Sequence, residues 1–201
     1  MRKIYRELLK GYKWIVDADL KDFFGSVQHE RLIDLIAEKV SDGRILKLIR
    51  KMLKAGYMEQ GTRHLTQEGT PQGSVISPLF SNIYLNRFDH EMESRGYKLT
   101  RFADDWVVLC RTRGEAIKAI EEAREILKSL GLAIHPEKTR ITHINKGFEF
   151  LGYKLKRGKG LKLAKNKIRK KMNSSNIYAL PKEESIKRFK ATIKERTKRR
   201  I

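Results

Sequence analysis

The sequence predicts an α+β fold in which helices pack behind one antiparallel sheet. Three observations predict it. Residues 99–110, LTRFADDWVVLC, set two short apolar runs on either side of Asp104 and Asp105, the pattern of a tight β-hairpin. Residues 13–20, KWIVDADL, alternate, with Trp14, Val16 and Ala18 on one face and Ile15, Asp17 and Asp19 on the other. Around these strands, apolar residues recur at helical spacing in segments separated by Gly- and Pro-marked turns.

The elements follow in order. Ile4, Leu8 and Leu9 share a helical face, but Gly11 ends that run after about two turns, too few for an isolated helix, so it must dock on something. The strand over 13–20 comes next. Beyond Phe23, Phe24, Gly25 and Ser26, a helix is predicted over 28–40 with Leu32, Ile33, Ile36 and Val40 on one side. A second, over 44–54, carries Ile45, Leu48, Ile49, Met52 and Leu53. Residues 56–69 are polar and glycine-punctuated, and read as a hairpin turning near Gln60-Gly61. Ser77-Pro78 offers an N-cap and a proline at the first helical position, so a helix should run from there to Arg95 with Phe80, Ile83, Tyr84, Phe88 and Met92 on its apolar side. Thr112 and Glu115 form a capping box for a helix to Leu130, with Ile117, Ile120, Ala123, Leu127 and Leu130 inward and Gly131 as its stop. Short strands over 132–135 and 140–144 flank Pro136-Glu137-Lys138-Thr139, and residues 148–155 alternate as one further strand. There is no internal repeat.

Composition narrows the function. The chain has 201 residues, 40% of them hydrophobic, enough to bury a core. A formal net charge of +21 calls for a polyanionic partner. That charge is uneven: residues 154–201 hold 19 Lys and Arg against 3 acids, and residues 1–153 hold 26 against 21. The body therefore folds compactly and the basic tail is a distinct region. The single cysteine, Cys110, sits in an apolar strand without a disulfide partner, which suits a reducing compartment. No stretch is long and apolar enough to span a membrane, and the N-terminus lacks a signal peptide's apolar segment, so a soluble, cytoplasmic protein without a membrane partner is expected.

The acids are the chemical signal. Alone, an Asp-Asp pair reads as a solvated turn, since Asp is a common turn residue. Two more acids on one face of the 13–20 strand, where aspartate is disfavoured, need a separate reason. Anionic, oxygen-rich pockets suit hard cations such as Mg²⁺. The loop Thr70-Pro71-Gln72-Gly73, with glycines at 69 and 73 around a fixed proline, suits close backbone approach to a ligand.

Five ordered blocks carry a family resemblance. They are Asp17 to Phe24 (DADLKDFF) with His29-Glu30; Gly69 to Gly73 (GTPQG) with Ser77 to Tyr84 (SPLFSNIY); Arg101 to Asp105 (RFADD); Leu130-Gly131-Leu132 with Pro136 to Thr139; and Phe148 to Tyr153 (FEFLGY). Together they resemble the reverse-transcriptase family, most closely the maturase-type proteins encoded by group II introns. The resemblance implies a polymerase palm-like antiparallel sheet over 1–153, followed over 154–201 by a basic linker and the first helix of a thumb, or maturase, domain. It implies RNA-directed DNA synthesis on an RNA template from a DNA primer, with deoxynucleotide triphosphates as substrates and group II intron RNA as a partner. Asp19 and Asp104, with Asp105 beside them and Leu20 adjoining, would hold two Mg²⁺ ions, Mn²⁺ being able to substitute. Phe24 would lie under the sugar, with Leu20 also at the nucleotide site, and Gln72 would contact the nucleotide. Lys138 would protonate the departing pyrophosphate. Leu151, Gly152 and Tyr153 would grip the primer backbone, and basic residues including Lys167, Arg169 and Lys170 would contact primer and template phosphates. A helix from Pro181 would present Ile186, Phe189 and Ile193.

The pattern departs from the family in three respects. The fingers region would precede Met1, the thumb stops after one helix, and Gly25 replaces the acid that commonly follows the paired phenylalanines. The resemblance admits a second role, a splicing cofactor that grips intron RNA without synthesis, and a third, a non-catalytic remnant that binds nucleic acid loosely. The intact Asp19, Asp104 and Asp105 favour the polymerase.

Overall fold

A computed structural model describes residues 1–59, 62–64, 68–70, 75–158 and 177–198. The first helix, α1 (Arg2–Leu9), buries Ile4 and Leu8 but leaves Leu9 exposed. Strand β1 (Trp14–Asp19) follows, then a single turn, α2 (Phe23–Ser26), and α3 (His29–Ala37), which ends three residues short of the predicted Val40. Helix α4 (Gly43–Lys54) is capped by the Asp42 carboxylate accepting from the Arg44 amide. Strands β2 (Tyr57–Glu59) and β3 (Thr62–His64) pair as the expected hairpin, its predicted Gln60-Gly61 turn lying outside the described residues.

Helix α5 (Ser77–Ser94) starts with Ile76 at its N-cap, so Ser77 is the first helical residue instead of the cap and Pro78 lies within the first turn. Its inward side is Phe80, Tyr84, Leu85, Phe88 and Met92. Strands β4 (Lys98–Phe102) and β5 (Asp105–Cys110) form the predicted hairpin. Helix α6 (Arg113–Ser129) opens with the Glu115 amide donating to Thr112 Oγ1 and the Arg111 amide donating back to the Glu115 carboxylate. It closes with the Leu132 amide on the Leu127 carbonyl and the Gly131 amide on the Lys128 carbonyl, a Schellman pair. Its buried face is Ala116, Ala119, Ala123, Ile126 and Leu127, while Ile117 is exposed. Of the predicted face, Ala123, Leu127 and Leu130 are buried and Ile120 packs against the core, and only Ile117 turns outward; the small Ala116 and Ala119, which carry little hydrophobic weight, take the inward place and let the helix lie close against the sheet.

Strand β6 (Arg140–His143) matches prediction, but the strand expected over 132–135 shrinks to one bridge between Leu20 and Ile134. The single strand expected over 148–155 is instead a hairpin, β7 (Phe148–Phe150) and β8 (Tyr153–Arg157), turning at Leu151 and Gly152. Both turn residues have positive φ, 50° and 76°, which matches the twist of the flanking strands. Strand β9 (Ile177–Pro181), not anticipated, pairs with β8, and α7 (Glu183–Lys198) follows as expected with Ile186, Phe189 and Ile193 exposed.

The strands form a four-stranded antiparallel sheet in the order β4-β5-β1-β6, the β2-β3 ribbon, and a three-stranded sheet β7-β8-β9. Strand alternation divides the core in two. Val16, Ala18, Trp106, Val108 and Cys110 face the helices α3, α5 and α6. Ile15, Val107 and Leu109 face the other way, onto Ile4 and Leu8 of α1 and onto Phe148, Phe150, Leu155 and Ile177 of the small sheet. The second face thus carries apolar residues at one end and, two and four positions along β1, Asp17 and Asp19.

Candidate active site

The β1–β5 register sets Asp19 opposite Asp105 and Asp17 opposite Val107, so the 13–20 and 99–110 stretches are neighbours in one sheet. Asp105 is the first residue of β5, and Asp104 occupies the two-residue turn with Ala103. Carboxylates placed across a ladder repel each other. Burial first, and then the charges of Asp17, Asp19 and Asp104, push the Asp105 carboxyl up to about 6. Burial and the nearby Asp19 likewise raise Asp104.

One cation already answers this charge. The Ala133 carbonyl accepts from the Lys21 amide at 2.8 Å and the His135 amide donates to the Asp19 carbonyl at 2.9 Å, so the 133–135 segment runs alongside Asp19. The turn that follows brings Lys138 Nζ to 2.7 Å from Asp19 Oδ2. That bond and the charge of Asp19 raise the lysine's affinity for its proton. Asp17, the second acid on the face, is engaged differently: Arg140 of β6 places Nε and Nη2 each 2.8 Å from Asp17 Oδ2. Burial nevertheless raises the Asp17 carboxyl despite this partner.

Asp19, Asp104 and Asp105 supply the carboxylate oxygens that a hard divalent cation takes, at neighbouring positions of one hairpin and the strand paired with it. Among the described residues, no three carboxylate, imidazole or thiol side chains converge closely enough to hold an ion as they stand.

The remaining predicted residues divide. Phe23 is buried and stacks edge-on against Tyr84, with centroids 6.2 Å apart. Phe24, only half-buried, lies edge-on to Phe23 at 5.2 Å. Leu20 has its side chain in the core, leaving only its main chain for any role at the site. Leu151, Gly152 and Tyr153 form the exposed tip of the β7-β8 hairpin. The Gly152 carbonyl accepts from the Lys182 amide at 2.9 Å, and Lys182 Nζ sits 2.7 Å from Glu149. Gln72, Lys167, Arg169 and Lys170 lie outside the described residues.

The sequence marks His29 only by its place beside Glu30, with no role of its own; in the fold it is buried and donates from Nε2 to the Gly69 carbonyl at 2.6 Å. Beside it the Gly69 amide donates to Val27 and the Thr70 amide to Phe24, each at 2.7 Å. A Cβ at Gly69 would fall 2.7 Å from the Phe24 carbonyl, so only glycine permits this approach. The segment leading into 70–73 is thereby tied directly to Phe24. At Gly25, the space for a side chain is taken by the Asp22 carboxylate, 2.3 Å from an ideal Cβ.

The family model described as reverse transcriptase (RNA-dependent DNA polymerase) matches residues 2–155. This chain belongs to the reverse transcriptase family. Among curated relatives of this family member, the protein YkfC of Escherichia coli K12 is 33% identical over 178 residues, covering 71% of this chain and 47% of that one. The group II intron-encoded protein LtrA of Lactococcus lactis is 28% identical over 256 residues, covering 94% and 43%. The chain is thus similar to a group II intron-encoded protein, and it spans a little under half the length of these relatives. Apo telomerase from Candida tropicalis superimposes with a TM-score of 0.59 at 13% identity, covering 77% of this chain and 35% of that one, a likeness of fold. The palm-like α+β architecture read from the sequence is the one observed. Among the described residues, no helix is long and apolar enough to cross a membrane.

Proposed function

We propose that this chain is the palm of an RNA-directed DNA polymerase that extends a DNA primer on an RNA template by nucleotidyl transfer. The observation that supports this most directly is the β1–β5 register, which sets Asp19 across from Asp105 with Asp104 in the adjoining turn. These three carboxylates, with the main chain of Leu20 beside them, would hold two Mg²⁺ ions or Mn²⁺ in their place. Such ions, when bound, supply the Lewis-acid chemistry that an in-line phosphoryl displacement requires.

The chain's own groups orient and move protons. Lys138, protonated and held 2.7 Å from Asp19, is the donor for the departing pyrophosphate. Phe24 lies under the deoxyribose, where a 2′-hydroxyl would collide with its ring, and Gln72 contacts the same nucleotide. The hairpin tip at Leu151, Gly152 and Tyr153 holds the primer backbone. In this reading residues 1–153 form the palm and 154–201 begin the thumb, with β8 running on from the boundary. Lys167, Arg169, Lys170 and their basic neighbours neutralise primer and template phosphates, which makes binding salt-dependent.

The test is primer extension on poly(rA)/oligo(dT). Wild-type chain should incorporate deoxynucleotides in the presence of Mg²⁺ and the Asp104→Asn variant should not; absence of Mg²⁺-dependent extension by the wild type would overturn polymerase activity for this chain. A second reading, a splicing cofactor, draws on the intron-encoded relative and the net charge of +21. It expects intron RNA to compete for binding far better than bulk tRNA, and equal competition would remove it.

A further inference from the structure

We propose that Arg101 is a positioning residue for the acid turn, locking Ala103 in its left-handed conformation so that Asp104 and Asp105 are presented to a divalent cation. The inference rests on the metal site proposed above. The turn joining β4 to β5 is tight, with Phe102 paired to Asp105 and only Ala103 and Asp104 between them. Ala103 has φ +53°, a region that a residue with a Cβ enters at a cost, so something must hold it there.

Arg101 is built to do so. Its Nη1 donates to the Ala103 carbonyl at 2.9 Å, closing over the turn. Its Nε and Nη2 fork onto the Asp89 carboxylate at 2.7 Å and 2.5 Å, and Nη1 also reaches Asn82 Oδ1 at 3.4 Å. The Arg101 side chain is 7% exposed. Asn82 and Asp89 are seven residues apart on α5, two turns along one face, and α5 is fixed in the core by Phe80, Tyr84, Phe88 and Met92. Rigidity therefore passes from a core helix, through a planar five-donor fork, to the carbonyl just before Asp104. A lysine offers no such fork.

Strand alternation shows that Arg101 does not touch the reacting groups. It pairs with Trp106, whose side chain faces the helices, whereas Asp105 is one residue out of phase and lies on the opposite face. Its influence must pass through the turn.

The experiment is direct Mn²⁺ binding to the full chain by electron paramagnetic resonance, with a thermal melt of each variant. Arg101→Met should weaken Mn²⁺ binding by about tenfold, as loss of an outer-shell partner does. Arg101→Lys should not restore it. Adding Ala103→Gly to Arg101→Met should recover most of the loss, because glycine takes positive φ without the arginine's help. If the pair merely docks α5 on β4, Ala103→Gly will recover nothing, and that result overturns the proposal. So does a folded Arg101→Met chain that binds Mn²⁺ as the wild type does. Where Arg101→Met fails to fold, Asp89→Asn, which keeps an acceptor on α5, should weaken binding in the same direction, and unchanged binding would be equally fatal. Failure of the wild type itself to bind Mn²⁺ would instead remove the metal site, and with it this inference.

Discussion

Asp19 and Asp105 face each other across the β1–β5 ladder, on the side of the sheet that also carries Asp17. In the absence of divalent cations this arrangement opposes folding. The Asp105 carboxyl is raised from 3.8 to about 6, so the folded chain holds that proton more tightly than the unfolded chain does. The contribution to stability is therefore fully present below 3.8, and is lost as pH rises through about 6. Asp105→Asn removes the charge and keeps the shape. In chelator at pH 7 it should stabilise the fold by about 1 kcal/mol, allowing for solvent screening of a partly exposed group, or ~3 °C in melting temperature. Near pH 4 the gain should vanish. A melt of both proteins at the two pH values checks it, and the same variant should lose polymerase activity.

Lys138 and Asp19 are 119 residues apart in sequence and in contact in the fold. If the lysine delivers a proton to the leaving group, Lys138→Ala should lower kcat on the order of 10²-fold with little change in the nucleotide KM. Lys138→Arg keeps the positive charge on Asp19 but is a far poorer proton donor, and should recover little. If the lysine serves only to neutralise Asp19, arginine will restore most of the rate. Steady-state primer extension distinguishes the two.

What could be read from the chain, and what could not, follows from the range of each interaction. Strand β1 declares itself through period-two alternation and the β4–β5 hairpin through two apolar runs around Asp104 and Asp105, and the acids in them mark the site. The β7-β8 hairpin does not, because its turn is only Leu151 and Gly152 and the apolar residues on both sides of it read together as one short run. Strand β9 pairs with β8, yet Ile177 sits opposite Arg157 from 20 residues further along, with no local signal to announce it. The Arg101 fork and the Arg140–Asp17 pair join residues on different elements, and only the packing of α5 on β4 and of β6 on β1 reveals them.

The inward face of α6 departs from the sequence reading at Ile117, for a physical reason that mutation can test. Ala119 and Ala123 lie wholly buried against the sheet, while Ile117 is 42% exposed. Ala119→Leu should overpack this contact and cost about 1–3 kcal/mol. Ile117→Lys should change stability by less than about 0.5 kcal/mol. The sequence-based face predicts the reverse order of harm, so denaturant melts of these two variants decide between them.

The hairpin tip allows stability and primer contact to be separated. Leu151 holds φ +50° and is 38% exposed, a poor place for a leucine unless the side chain is used. Asparagine enters this region readily, and Asn-Gly is the favoured pair for such a two-residue turn. Leu151→Asn should therefore raise stability by about 1 kcal/mol, since it relieves the strain and buries nothing new. The Lys182 amide still ties the Gly152 carbonyl, so the hairpin keeps its place beside α7. If Leu151 rests against the primer, the same substitution should weaken primer–template binding several-fold while the protein melts higher. A variant that is more stable and binds the duplex unchanged would show that the leucine does not grip the primer, and would leave its strained backbone without a functional reason.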